Sequence, residues 1–285
     1  MTTHNDASLY LSQDRRRAFV QGETLPGRAT GSVLMADISG FTPLTAVLVQ
    51  TLGSRRGAEE LGRHLDNLYE ALIAEVERFG GSVVSFAGDA ITCWFAEVAT
   101  AVTAPLAAQR AVACAQAMQT VMCDFAQVGI PSGETISLAM KTAVASGPAW
   151  RFVVGDPHIQ QLDILAGNTL TRMAAAEELA HKGEVIIDQA TLAQGGGDMP
   201  VYQWRSHPTG ARFAVITSKP HTQPPPIWPR PVPVALPTAL VKPWLPPGVY
   251  DQLQAGTGEF FAELRPVVAL FLRFAGLDYD ADDAA

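Results

Sequence analysis

Two short apolar runs along this chain each end on an aspartate set among small residues. They are Val33-Leu34-Met35-Ala36-Asp37-Ile38-Ser39-Gly40-Phe41 and Val83-Val84-Ser85-Phe86-Ala87-Gly88-Asp89-Ala90. The first predicts a strand over Ser32–Ile38 that delivers a carboxylate at its tip and turns into a helix over Phe41–Leu52. Thr42 and Pro43 stand at positions that a helix start tolerates. The second predicts a hairpin, Ser82–Ala87 and Ala90–Ala96, turning at Gly88-Asp89, because Gly and Asp are residues such turns accept. Gly53–Gly57 reads as a loop. From Ala58 to Phe79, Leu61, Leu65, Leu68, Leu72, Ile73 and Val76 recur at helical spacing, which predicts an amphipathic helix stopped by Gly80-Gly81. Ala99–Ala126 reads as an Ala-rich helix. Ile136–Ser146 and Trp150–Val154 read as strands joined through Gly147-Pro148, Leu170–Ala180 as a helix, and Glu184–Asp188 as a strand. Tyr202–Ser206 with Arg212–Thr217 reads as a closing hairpin. This order predicts an α+β, ferredoxin-like (split βαβ) domain, an antiparallel sheet with helices on one face.

The pattern changes at both ends. Residues 1–27 are a polar lead-in with one short helix around Leu9–Val20. The core runs over 28–218. Residues 219–248 hold more than half of the chain's 20 prolines, and read as a semi-rigid spacer. Residues 249–285 read as the start of a second unit. Within it Val267–Gly276 weakly repeats Ser32–Gly40, with Arg273 where the first copy has Asp37. A single strand does not fold alone. The chain is therefore expected to be the front of a longer protein, or its last strand to dock on the first domain.

Composition narrows the chemistry. The 285 residues are 48% hydrophobic and 17% charged, enough apolar material for a core. A net charge of -8 argues against nucleic-acid binding, which leans on basic patches, and Arg15-Arg16-Arg17 reads as a solvated helix face or tail. Cys93, Cys114 and Cys123 lack metal-ligand or C-x-x-C spacing and read as free buried thiols of a reducing compartment. No run is long enough to span a bilayer and the N-terminus lacks a signal-peptide pattern, so a cytoplasmic location is expected. No Walker loop, Ser-His-Asp spacing or H-E-x-x-H motif occurs. If the two apolar strands are neighbours, Asp37 and Asp89 form a carboxylate pair suited to divalent ions that carry a nucleotide's phosphates. Taken singly, Asp37 reads as a helix cap and Asp89 as a turn residue. Asp163 reads as a surface or second-pocket acid, His64 as filler on an amphipathic helix, Arg172 as an ion-pair residue, and Trp94 and Phe95 as core.

The pair "LMADISGFTPLT" and "GGSVVSFAGDAITCWF", separated by a helix-helix stretch ending in Gly-Gly, resembles a class III nucleotidyl cyclase catalytic domain. The branch it looks most like is that of the soluble, bicarbonate-responsive adenylyl cyclases, and the resemblance covers about residues 28–218. "ELRPVVALFLRF" looks like the opening of that branch's second cyclase domain. The resemblance implies conversion of ATP to 3',5'-cyclic AMP and pyrophosphate, at a site shared between two domains paired head to tail. It makes Asp37 and Asp89 ligands of two Mg²⁺ (or Mn²⁺) ions, with the Ile38 carbonyl as an extra ligand. It also makes the backbone of Ser39, Gly40, Phe41 and Thr42 a phosphate cradle at a helix N-terminus.

The chain departs from the family in its other half-site. Ser85 stands where a base-recognising Lys precedes the Phe-x-Gly-Asp turn. Thr171 and Ala175 stand at the offsets of the transition-state Asn and Arg, while Asn168 and Arg172 are out of register. The domain therefore brings metals without the complementary residues, which a second domain in the same longer chain would supply. Ser85 and Arg172 mark the expected second pocket, where bicarbonate is the candidate ligand. The alternative is a non-catalytic cyclase-homology module that binds a nucleotide or small anion and regulates attached domains.

Overall fold

The computed structural model describes residues 7–97, 106–130, 133–195, 199–217 and 236–254, together with Val268, Leu270, Leu272 and Tyr279. After a short 3₁₀ turn at Ala7–Tyr10 come α1 (Gln13–Gln21), β1 (Arg28–Ser39), α2 (Phe41–Leu52) and α3 (Ser54–Arg78). The hairpin β2 (Ser82–Ala87) and β3 (Ala90–Ala96) leads to α4 (Ala107–Phe125). Two short strands, β4 (Gln127–Gly129) and β5 (Thr135–Ser137), form a separate ribbon before β6 (Ala139–Asp156) and β7 (Gln160–Ala166). Then follow α5 (Asn168–Leu179), β8 (Val185–Asp188), α6 (Gln189–Gln194), β9 (Val201–Ser206) and β10 (Arg212–Ile216). Beyond residue 235 lie α7 (Thr238–Val241), a 3₁₀ turn at Lys242–Trp244, and α8 (Pro247–Gln254).

The main sheet has eight strands in the order β2-β3-β1-β6-β8-β10-β9, with β7 paired to β6 as an arm. All its pairs are antiparallel except β6–β8. The mixed α+β class is as expected, with one correction: helices cover both faces. Alternation sends Leu34, Ala36 and Ile38 of β1 to one side, where they pack on Leu44 and Leu48 of α2, Leu68, Leu72 and Val76 of α3, and Met118 of α4. Val33 goes to the other side with Ala143, Ala145, Ile186 and Phe213, under Met173 and Ala176 of α5. All four residues of β8 are buried, so a one-sided cover would leave apolar surface in water.

Hairpin β2–β3 and helix α2 occupy the predicted spans. Gly53–Gly57 is not a loop. Gly53 alone makes the turn, at φ 80°, and α3 begins at Ser54. Gly57 lies on that helix because a Cβ there would meet the Leu48 carbonyl carbon and oxygen at 2.9 Å; it permits close helix approach. β6 runs unbroken through Gly147-Pro148, paired along β1 from Trp150 back to Ala139. β7 escaped detection because it lies on an arm, with Leu162 and Ile164 exposed, so burial imposes no clean alternation on it. α6 is a six-residue helix whose only start signal is the Asp188 cap on the Thr191 N–H. Among the thiols, Cys93 and Cys114 are buried and free, whereas Cys123 is exposed.

The N-terminal lead-in is part of the folded body. Leu11 packs in a small cluster with Val241, Leu245 and Leu253, so the end of the expected spacer (residues 236–248) and the first residues of the expected second unit (249–254) form helices against it. The remainder of the spacer, and Arg273 with nearly all of the Val267–Gly276 repeat, lie outside the described residues. Arg15 is 6% exposed rather than solvated. It donates to Asp163 through Nη2 at 2.5 Å and stacks over the Trp244 ring at 4.7 Å. Asp163 is neither surface nor second pocket: it also accepts from Arg151, which in turn pairs with Asp14 of α1. Burial opposes the Asp163 charge, yet hydrogen bonds from Arg15 and Arg151 hold its carboxyl below the usual range. Among the described residues no helix is long and apolar enough to cross a membrane.

Asp163→Ala leaves two nearly buried guanidiniums short of a counter-charge, and should cost about 3–5 kcal/mol in denaturant unfolding. Because the folded-state pKa of Asp163 is depressed, its contribution is complete above the unfolded carboxylate value near 4 and is lost as pH falls through the folded value. The wild-type advantage over Asp163→Ala should therefore shrink on acidification and not on alkalinisation.

Candidate functional site

Strand β1 ends at the site. Asp37 is cross-strand from Ala90 on one side and from Lys141 on the other. Asp89 occupies the two-residue turn between β2 and β3, made possible by Gly88 at φ 63°. The Asp89 carbonyl accepts the Ile38 N–H at 3.3 Å, so the turn is tied to the end of β1. The two carboxylate-bearing residues thus meet at one end of the sheet, as their motifs predict. Both are partly exposed rather than sealed in the core.

The chain then turns into α2 through Gly40, at φ 114°. A Cβ on Gly40 would meet the Ser137 carbonyl oxygen at 2.5 Å, and the left-handed backbone independently favours glycine. Ser39 donates its hydroxyl to the Ala139 carbonyl at 3.3 Å. The first helical bond of α2 runs from the Leu44 N–H to the Gly40 carbonyl. The amides of Phe41 and Thr42 precede that bond and have no acceptor within the helix, and Pro43 has no N–H to satisfy.

Three neighbours were not singled out by the sequence. The Lys141 ammonium lies 3.4 Å from an Asp37 carboxylate oxygen and 2.5 Å from Glu177 of α5. Burial opposes its charge, but the Glu177 hydrogen bond and the charges of Glu177 and Asp37 raise its pKa above the ordinary value. Tyr69 of α3 stacks edge-on to Phe86 of β2 at 5.6 Å and lies tilted against Phe41 at 6.4 Å. Burial, then the negative charges of Asp89 and Asp37, push its phenol pKa upward. Lys141 had a detectable signal, as the one charge within the apolar run Leu138–Ser146. Tyr69 and Glu177 sit at ordinary helical spacings and carried none.

Among the described residues no group of three or more His, Cys, Asp or Glu is gathered to hold a metal by itself. A two-carboxylate, all-oxygen set nevertheless fits Mg²⁺ or Mn²⁺, which commonly take one or two carboxylates and complete their shell with water and substrate phosphates. The upward push that both acids exert on Tyr69 places that phenol within their shared field.

Ser85 and Arg172 stand on different parts of the fold. Ser85 is on edge strand β2, while Arg172 reaches the Ser146 carbonyl of β6, and strands β3 and β1 lie between. Arg172 is committed to Asp188 at 2.8 Å, the ion-pair role expected of a helical arginine. Trp94 and Phe95 are core, and His64 pairs with Glu60 on the same helix.

No protein-family model matches the chain. Rabbit (Oryctolagus cuniculus) adenylate cyclase type 10 is 25% identical over 181 residues, which is 59% of this chain and 10% of that protein. The human (Homo sapiens) protein of the same name is 39% identical over 61 residues, 21% of this chain and 4% of its own length. The chain thus spans a tenth or less of these curated relatives. Among solved structures, the guanylyl cyclase Cya2 superposes with a TM-score of 0.57 at 21% identity, over 70% of this chain and 98% of that one. The adenylyl cyclase CyaB from P. aeruginosa gives 0.54 at 18% identity, over 67% and 94%. The guanylate cyclase domain of RhGC from Catenaria anguillulae, in complex with GTP, gives 0.53 at 21%, over 68% and 100%. The fold is that of class III nucleotidyl cyclase catalytic domains, with distant sequence similarity to adenylate cyclase type 10 over part of the chain.

Asp37→Asn and Asp89→Asn should each lower the Tyr69 pKa toward the ordinary phenol range, since each removes a negative charge that opposes tyrosinate. Absorbance titration at alkaline pH, with Tyr69→Phe to assign the step among the five tyrosines, checks this.

Proposed function

We propose that this cyclase-homology domain is the metal-binding half of an adenylate cyclase site, converting ATP to 3',5'-cyclic AMP and pyrophosphate together with a second cyclase domain. The observation that supports it best is the meeting of Asp37 and Asp89 at one sheet end, beside the first turn of α2. Asp37, Asp89 and the Ile38 carbonyl are the proposed holders of two Mg²⁺ or Mn²⁺ ions. Those ions, when bound, supply Lewis acidity toward the ribose 3'-hydroxyl and charge neutralisation of the triphosphate.

The chain's own residues do the rest of this half's work. Asp37 and Asp89 provide the negative field that draws the cations. The backbone from Ser39 to Thr42 lies at the positive end of α2, and the amides of Phe41 and Thr42 offer donors to phosphate oxygens. Lys141 adds a cation beside Asp37, where the triphosphate's charge has to be met. Gly40 keeps this backbone close to the β5–β6 junction, so that the cradle follows directly on the Asp37 end of β1. The base-recognising and transition-state groups are assigned to the second domain, because Ser85, Thr171 and Ala175 offer none of the expected side chains here.

A second reading, a non-catalytic module that binds nucleotide or an anion and regulates attached domains, draws support from the same missing half-site. Purified chain extended through a second cyclase domain is expected to form cyclic AMP from ATP with Mg²⁺ or Mn²⁺, while the present chain alone is silent. Asp37→Asn or Asp89→Asn in the extended protein should reduce turnover by about a hundredfold or more, as losing a group that stabilises transition-state charge does. An extended protein that is silent with ATP and GTP, while the chain still binds nucleotide or bicarbonate in calorimetry, would establish the second reading.

A further inference from the structure

Lys141 presents a physical difficulty for a metal site. An ammonium 3.4 Å from Asp37 competes for the carboxylate that a divalent ion would use. It cannot leave easily, because β6 is pinned to β1 on both sides of the pair, from Ala139 through Trp150. What it has instead is a second acid. Glu177, on the helix that covers this face, holds the same ammonium at 2.5 Å with its carboxylate and accepts from it at 3.5 Å with its backbone carbonyl. The Lys141 and Glu177 side chains are largely buried, 25% and 19% exposed, so their pairing is shielded from bulk water. The shorter contact is to Glu177, and Asp37 is left with the longer one.

We propose that Glu177 is a positioning residue of the metal site: it draws the Lys141 ammonium toward α5 and thereby leaves the Asp37 carboxylate available to a divalent cation. The inference rests on the metal-site reading above and deepens it. With Glu177 in place, the end of the sheet carries three carboxylates against one tethered ammonium. Without it, Asp37 is the acid that remains paired with the ammonium, which masks it. Among the described residues, the contacts of Glu177 at this end of the sheet are to Lys141, through its carboxylate and its backbone carbonyl, so its effect on metal passes through Lys141.

The test is Mn²⁺ binding to the full chain without nucleotide, read as free Mn²⁺ by electron paramagnetic resonance. Wild-type binding is expected to be lost in Asp37→Asn and in Asp89→Asn. Glu177→Gln should weaken binding by about fivefold, and Lys141→Met should strengthen it, coupling of the size seen between groups in one network. In the Lys141→Met background, adding Glu177→Gln should change affinity far less than it does alone, and Glu177→Asp should recover part of the wild-type affinity. Lys141→Gln serves in place of Lys141→Met if thermal unfolding shows the latter to be misfolded. Equal weakening by Glu177→Gln with and without Lys141 would mean that Glu177 acts only as a distant charge, and overturns the proposal. Unchanged affinity in Glu177→Gln overturns it as well. Wild-type Mn²⁺ binding that is absent, or indifferent to both aspartate changes, overturns the metal-site reading itself and the proposal with it.

Discussion

Strand β1 is hydrogen-bonded along both edges, to β3 over Gly31–Asp37 and to β6 over Arg28–Ser39. A one-residue slip would send Leu34, Ala36 and Ile38 to the α5 side and bring Val33 under α3 and α4, exchanging two differently shaped cores. Both cores are closely filled, with Leu34, Ile38 and Val33 wholly buried, so the register is held from both faces. The chemistry at the end of the strand depends on that register. Asp37 is beside Ala90 of the hairpin and Lys141 of β6 because the pairing along the rest of β1 leaves no alternative.

The charges at this end follow from the pairing. The carboxylate at the strand tip and one on α5 both hold a single ammonium, and the hairpin turn brings a third carboxylate to the same end of the sheet. Like charges this close are costly unless a cation joins them, and Lys141 supplies only part of the compensation. On the proposed reading, a divalent ion with substrate phosphates completes it. The second cyclase domain invoked for the missing groups belongs to the same reasoning. Ser85, Thr171 and Ala175, at the offsets the resemblance points to, are not the Lys, Asn and Arg expected there.

At the opposite flank, the N-terminal helix contributes to the arm more than its polar sequence suggests. Arg15, Asp163, Arg151 and Asp14 form a nearly buried network joining α1 to β6 and β7, and Trp244 closes over Arg15 from the end of the proline-rich stretch. Paired this way, each charge offsets the desolvation of its neighbours, whereas any one alone would be unfavourable. Three stretches far apart in sequence thereby hold one another, with β6 extended well beyond the core.

Periodicity and turn chemistry in the sequence determined the order of the main elements, the span of α2, the β2–β3 hairpin and the placement of Asp37 and Asp89 at their ends. These are local matters: alternation, helical spacing, and the small set of residues that fit a tight turn. Contacts between distant residues lay beyond it. Arg15 looked solvated because its partners Asp163 and Trp244 are 148 and 229 positions away. Gly57 looked like loop because only a second helix passing close by gives it a packing role. Lys141 and Glu177 acquire meaning only once β6 lies against β1 and α5 crosses that face, and Ser85 and Arg172 separate because two strands come between them. The tertiary structure decided these points because charge pairing and close approach depend on distance in space, which the spacing of residues along a chain does not supply.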